Sequence, residues 1–229
     1  RRDKPGGRAY VFEQDGFTVD AGPTIITAPA LIDELFARYG KRTADYVQLV
    51  RVDPFYNVRF EDGSVFRYSA DPDDVVRQIA DWNPADVAGY HRFAAEAERV
   101  FEAGFPLIDR PFTTLRDMLR VLPDLVRLRA DRPVARMVER HLRDPRLRQV
   151  FGFHPLLIGG NPFDTTSIYA MIHALERRWG VWFAMGGTGA LVRGLADLFT
   201  DAGGELRLDA NVAEIVVDPR TRRATGVRL

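Results

Sequence analysis

Short apolar runs separated by turn residues open the chain. Residues 9–12 and 17–19 read as β, and Gln14-Asp15-Gly16 between them is a hairpin signal. Asp20-Ala21-Gly22-Pro23-Thr24 reads as a turn. Over 28–39 the period becomes helical, with Leu31, Ile32, Leu35 and Phe36 on one face. Thr27 is the expected cap, Pro29 suits the first turn, and Gly40 is the expected stop. Residues 47–52, 57–61 and 65–68 return to β, with Asp62-Gly63 as a turn. Asp71-Pro72 and Asn83-Pro84 each predict a helix start. Asp74 and Asp86, three residues after those caps, are placed to meet unpaired amide N–H groups and the positive helix end.

From 110 to 148 the background turns basic: 11 arginines face 5 carboxylates, a net charge of +6. Leu115, Leu119, Leu122 and Val126 recur there at helical spacing, and Pro123 is expected to kink or restart the helix. This pattern fits an interfacial helix on an anionic bilayer. It equally fits an amphipathic core helix with a solvated basic face. Residues 151–163 are apolar and glycine-rich, and 165–178 read as helix. Gly186-Gly187-Thr188-Gly189 precedes a helix carrying Leu191, Leu195, Leu198 and Phe199 on one side, with Gly203-Gly204 to end it. Residues 205–208, 211–217 and 224–229 read as β. The order predicts a mixed α/β (α+β) fold in which a helical block is inserted into a sheet domain. Such junctions are common places for a substrate cavity.

Composition narrows the chemistry. Over 229 residues, 46% hydrophobic and 28% charged is a globular balance. Lys plus Arg equals Asp plus Glu at 32 each, which argues against nucleic acid as a partner. There is no cysteine, so disulfides, Cys-based zinc sites, iron–sulfur clusters and thiol nucleophiles are excluded from the chain. Its four histidines show no metal-ligand spacing, so no metal site is expected. No apolar run approaches the ~18 residues of a membrane span. The chain opens on Arg1 without a signal-peptide pattern and closes on a strand-like run, so it reads as a central piece of a longer protein.

Candidate chemistry sits first in the glycine loops. Gly6, Gly7 and Arg8 place exposed backbone beside a guanidinium, which suits phosphate oxygens. Gly186–Gly189 offers the same at a helix start. Both also read as tight turns. His154, among Phe151, Phe153 and Leu156, reads as a satisfied, partly buried histidine. Asp117, next to Arg116, reads as a helix-dipole or ion-pair residue. Phe151, Phe153, Phe163, Tyr169, Trp179, Trp182 and Phe183 are either core or a wall for a long apolar ligand.

Taken together, RDKPGGRAYVFEQDGFTVDAGPT at 2–24, FRYSADPDD at 66–74, TLRDMLR at 114–120, LRQVFGFHPLLIGGNPF at 147–163 and SIYAMIHALERRWGVWFAMGGTGALV at 167–192 resemble one family. It is that of the bacterial-type phytoene desaturases, carotenoid-forming, amine-oxidase-like flavoproteins. The resemblance covers essentially the whole chain. It implies a partial Rossmann-type FAD-binding domain from 1–45 and 186–229. A substrate domain at 46–185 would be inserted between them, its helical, membrane-facing part at about 84–150. Gly6, Gly7 and Arg8 match the loop along the FAD, and Gly22, Pro23 and Thr24 the turn near the flavin. Val212 matches a strand position whose backbone meets the adenine.

The implied reaction is stepwise desaturation of a linear C40 carotene such as phytoene, with a hydride passing to the flavin and a proton leaving the neighbouring carbon. Asp117 with Arg116 is the expected acid–base or charge-stabilising pair. A peripheral attachment to the cytoplasmic membrane face follows from a water-insoluble substrate, and the sequence does not decide between oxygen and a quinone as the electron acceptor. Relatives carry a Gly-x-Gly-x-x-Gly unit upstream and a C-terminal flavin segment, neither of which is in this sequence, so the isolated chain is expected to be inactive. Many relatives also have Pro where Ala184 stands. Other readings are a desaturase or isomerase of C30 or oxygenated carotenoids, or a non-catalytic module binding an apolar ligand or a membrane.

Overall fold

The computed structural model describes residues 3–107 and 113–229. In chain order the regular elements begin with β1 (Val11–Gln14), β2 (Phe17–Asp20), α1 (Pro29–Arg38), β3 (Leu49–Val52), β4 (Tyr56–Arg59) and β5 (Val65–Tyr68). Helices α2 (Pro72–Trp82), α3 (Val87–Gly104), α4 (Leu115–Arg127), α5 (Val134–Glu139), α6 (Pro145–Gly152) and α7 (Met171–Trp179) follow. The chain closes with β6 (Val181–Ala184), α8 (Gly187–Asp201), β7 (Glu214–Val217) and β8 (Ala224–Arg228). This is a mixed helix-and-sheet protein, and its sheets among the described residues are all two-stranded. Contacts divide it into two compact units, Arg1–Val50 with Trp182–Leu229, and Arg51–Val181. The chain changes unit within β3 and again within β6.

In the first unit β1 and β2 form an antiparallel hairpin closed by Gln14↔Phe17. Asp15 and Gly16 both have positive φ, at 52° and 80°. That is the backbone a two-residue hairpin turn requires, and it explains why Asp-Gly stands there. Helix α1 begins differently from expectation. Ala28, not Thr27, occupies the capping position and makes no side-chain bond, so the fixed φ of Pro29 sets the start. Gly40, at φ 68°, ends the helix with its N–H on the Ala37 carbonyl. Gly203 closes α8 in the same left-handed way. Strands β7 and β8 pair antiparallel. The strand expected at 205–208 does not form. Leu206 and Leu208 are exposed, and nothing among the described residues pairs with that segment's backbone.

The second unit is built around aromatic rings. Phe151 on α6 lies 5.0–5.9 Å, centroid to centroid, from Phe66, Tyr68, Tyr90 and Phe93. These are edge-on and tilted contacts, the arrangement that ring quadrupoles favour. Asp71 caps α2 by accepting from the Asp73 N–H at 2.9 Å. Asp86 departs from its expected role. It is fully buried, and its oxygens accept from the backbone N–H groups of Arg143 and Asp144 at 2.8–3.0 Å and from Asn83 at 3.1 Å. Pro123 does not restart α4, which runs through it. The helix expected over 165–178 divides at Ala170 into a 3-10 turn, Ser167–Ala170, and α7. The start of the basic block, residues 110–112, lies outside the described residues.

Candidate functional site: glycine loops and a buried polar cluster

Three glycine-rich segments meet in the first unit. Gly6 and Gly7 hold φ of 119° and 58°. A Cβ on Gly22 would stand 2.1 Å from the Arg8 carbonyl oxygen, so the 6–8 loop and the 20–24 turn touch backbone to backbone. Only glycine permits that approach. The third segment is tied in by Thr188, whose hydroxyl donates to the Pro23 carbonyl and whose N–H donates to Asp20 Oδ1 at 3.1 Å. A Cβ on Gly187 would also stand 2.8 Å from that carboxylate. The anion at the start of α8 is therefore the protein's own Asp20. Of the two readings of Gly186–Gly189, phosphate loop and tight turn, the contact with Asp20 favours the turn.

The 6–8 loop is different. A Cβ on Gly7 would meet nothing within 4 Å, and Arg8 is exposed with no partner among the described residues. Open backbone beside an uncompensated guanidinium is what a phosphate-bearing group needs. Thr24 turns its hydroxyl back to the Gly22 carbonyl at 3.4 Å. Val212 stands apart from this meeting of loops. It precedes β7, is exposed, and has no hydrogen bond to them among the described residues.

Asp117 closes the first turn of α4. Its Oδ2 accepts from the Thr114 hydroxyl at 2.7 Å and the Thr114 N–H at 3.0 Å, while its own N–H reaches Thr114 Oγ1 at 3.3 Å. This is the reciprocal bonding of a capping box. The Thr114 hydroxyl is the main reason the carboxyl is held below its ordinary pKa. Arg116 beside it is exposed.

The second unit also buries a polar cluster that only part of the sequence pattern announces. His154 Nε2 lies 3.0 Å from Glu176 Oε2, with both side chains fully buried. Tyr56 donates to the other Glu176 oxygen at 2.8 Å. Tyr68 is hydrogen-bonded to His173 Nδ1. Arg177 lies over the rings of Phe55 and Tyr68 and donates to the Ser69 carbonyl at 2.7 Å. Burial drives the Tyr68 hydroxyl up and the His173 imidazole down, and the positive Arg177 adds to the second effect. His154 is thus deeper than expected. Its partner Glu176 and the neighbouring His173 carry no local motif that would have marked them, because their partners lie 22 and 105 residues away.

Of the aromatic wall, Phe151 is core. Phe153 and Phe163 instead line an apolar groove of about 630 Å³ with Val58, Ala135, Leu156 and Pro162. No group of His, Asp or Glu among the described residues is arranged to hold a metal ion. No helix among them is long and apolar enough to cross a membrane.

Residues 1–229 match the family described as flavin containing amine oxidoreductase, and the chain belongs to that family. Within it, three of the relatives it matches are phytoene desaturases by name. The lycopene-forming phytoene desaturase of Pseudescherichia vulneris is 52% identical over 230 residues, covering 100% of this chain and 46% of that protein. The lycopene-forming enzyme of Paracoccus sp. is 50% identical (100% of this chain, 45% of that protein). The neurosporene-forming enzyme of Rhodobacter capsulatus is 40% identical (100% and 44%). The chain spans about half the length of these relatives. A solved putrescine oxidase variant overlaps more loosely, with a TM-score of 0.46 and 17% identity over 87% of this chain and 43% of that one. FAD is the cofactor this membership brings. The open Gly7 backbone and the unpaired Arg8 fit its phosphates.

Proposed function

We propose that the full-length protein carrying this chain is an FAD-dependent desaturase of a linear C40 carotene, converting phytoene towards neurosporene or lycopene. The observation that carries this reading is 52% identity along the whole chain to a lycopene-forming phytoene desaturase. Residues 1–45 and 186–229 form part of a Rossmann-type FAD domain, and 46–185 form the inserted substrate domain. Gly6, Gly7 and Arg8 hold the cofactor's phosphates. Gly22, Pro23 and Thr24 border the flavin, and Val212 meets the adenine through its backbone. The flavin, when bound, supplies the hydride acceptor.

The chain's own residues orient the substrate, exclude water and handle the proton. The groove lined by Phe153, Leu156, Pro162 and Phe163 is an apolar surface suited to a polyene. In this reading the Asp117 carboxylate accepts the proton and the neighbouring Arg116 is its charge-stabilising partner, although the contacts Asp117 makes are the Thr114 cap and the field of Arg120. The exposed apolar face of α4 and the basic block support a peripheral attachment to the membrane from which the carotene is drawn.

Expression of the full-length gene in a phytoene-accumulating host tests the reading. A long-wavelength polyene spectrum is expected, and its bands count the desaturation steps. Unchanged phytoene, with yellow flavoprotein present, would move the assignment to another isoprenoid. For Asp117, Asp117→Asn should lower turnover by roughly 10²–10⁴-fold with flavin retained, the range for a lost acid–base group. Thr114→Ala removes the cap but keeps the carboxylate, so it should spare most of the turnover. Equal losses in both variants would reduce Asp117 to a capping residue.

A further inference from the structure

Helix α4 presents three distinct sides. At about 100° per residue, Leu115, Leu119, Leu122 and Val126 fall on one stripe, and all four are exposed, at 77%, 57%, 48% and 67%. Val121 and Leu125 fall on the inward side, and Val121 is buried. Arg116, Arg120 and Arg127 lie together on the flank of the exposed stripe, all in solvent. A soluble surface has no reason to hold four large aliphatic groups in register in water.

Next to the C-terminal end of this helix lies a charged surface. A hollow of about 360 Å³ is lined by Arg127 and Leu128 with Glu96, Arg99 and Glu102 of α3. A second hollow, about 490 Å³, is lined by Arg132, Arg136, Glu139 and Arg140. The two adjoin through Arg140, which binds Glu96 at 2.7 Å. Every carboxylate here already has a cationic partner. Glu96 holds Arg140 and His141, Glu139 holds Arg136 at 3.0 Å, and Glu102 lies 4.0 Å from Arg178. Arg99, Arg127 and Arg132 have no carboxylate partner among the described residues and are exposed. Three uncompensated guanidiniums thus border the two hollows, and one of them stands on the same helix as the exposed leucines.

We propose that Arg99, Arg127 and Arg132 form a headgroup site for the phosphates of an anionic phospholipid bilayer, beside the α4 face that enters it. The occupant is fixed by two adjoining chemistries. The stripe takes acyl chains, and the guanidiniums take phosphate oxygens by paired hydrogen bonds. The inference rests on the membrane contact proposed above and adds the lipid class and the residues that select it.

Flotation of the full-length protein with phosphatidylcholine vesicles, with and without phosphatidylglycerol, tests it. Binding should be tighter to the anionic vesicles and weaken with salt. A basic residue near an anionic surface contributes roughly five-fold in partitioning. Arg99→Gln, Arg127→Gln and Arg132→Gln together should therefore remove roughly a hundred-fold on anionic vesicles and leave neutral-vesicle binding unchanged. Leu119→Ser with Leu122→Ser should lower binding to both, and unchanged thermal melting would show that each variant is folded. If the triple arginine variant binds anionic vesicles like the parent, the headgroup site is overturned and the membrane contact stands. A preference for anionic vesicles that is lost with Arg120→Gln instead would overturn it as well. If the parent binds neither vesicle, the membrane contact itself fails.

Discussion

The two units bury their side chains very differently. Of the buried hydrophobic residues among those described, the first unit supplies Val11, Phe36, Val47, Ala184 and Leu198, and the second unit supplies all the rest. The second unit also buries charge and polarity, in Asp86, His154, His173 and Glu176. The first leaves Phe12, Phe17, Phe199 and Ile215 at least half exposed. Where ring packs on ring, stability comes from a closed apolar core, and charge is tolerated only with every oxygen bonded. Where glycine loops meet, the same apolar residue types stay in water, and the structure is held by backbone contacts and turns. Burial thus marks the second unit as the stability reservoir, while the first carries the open glycine loops.

Truncating a core ring should produce the largest difference between the units. Phe151→Ala removes five ring contacts, four to Phe and Tyr rings and one to His173, and should cost about 3–5 kcal/mol in denaturant unfolding of the full-length protein. Phe17→Ala, at a residue 74% exposed, should stay within about 0.5 kcal/mol. Similar losses at both positions would erase the contrast. Asp86→Ala comes next. It leaves the Arg143 and Asp144 N–H groups without their acceptor, at about 1–3 kcal/mol each, the range for a buried donor left unpaired. A loss under 1 kcal/mol would show that water reaches these amides and that the second unit is less closed than its burial implies.

Acid should act on the second unit through His173. Its folded pKa is depressed, first by burial, then by the neighbouring His154 and Arg177. The groups packed around it are Tyr68, Tyr90, His154 and Arg177, with Glu176 bonded to His154. In the unfolded chain the imidazole titrates near its ordinary value of about 6.5. Above that pH the neutral ring costs nothing extra. As pH falls below it the unfolded state binds a proton that the folded state refuses. Stability should therefore decline by up to about 1.4 kcal/mol per pH unit below pH ~6.5. The check is unfolding free energy against pH for the parent and for Tyr68→Phe with His173→Phe, which removes the hydroxyl and the imidazole together. An identical slope in the pair variant would assign the acid response elsewhere.

Local signals were legible wherever neighbours in sequence decide the structure. Asp15-Gly16 specifies its hairpin turn through two positive φ values, and Asp71-Pro72 specifies a helix start through one side-chain bond. The signals misled where a distant partner intervened. Asp86 looked like a first-turn carboxylate, yet it holds a backbone 57 residues away. The loop at 186–189 looked free for phosphate, yet Asp20 arrives from 168 residues away to take the helix start. Residues 205–208 had strand composition but lack a neighbouring strand, and a strand without a ladder has nothing to hold it. The candidate site was legible as separate glycine motifs. That the 6–8 loop and the 20–24 turn touch came only from the fold.

The smallest expected effect is also the sharpest probe of the first unit. At Gly7, φ is 58°, and an added Cβ would meet no protein atom within 4 Å. In the protein alone, Gly7→Ala should therefore cost only the left-handed backbone penalty, about 1 kcal/mol. If the cofactor's phosphates lie against this backbone, the methyl group meets them instead. Flavin affinity of the full-length protein should then fall further than stability does. Parallel measurement of thermal unfolding without flavin and of flavin titration separates the two quantities. Equal, small losses in both would mean that the open side of Gly7 faces solvent, and the cofactor's phosphates would then have to be held elsewhere in the full-length protein.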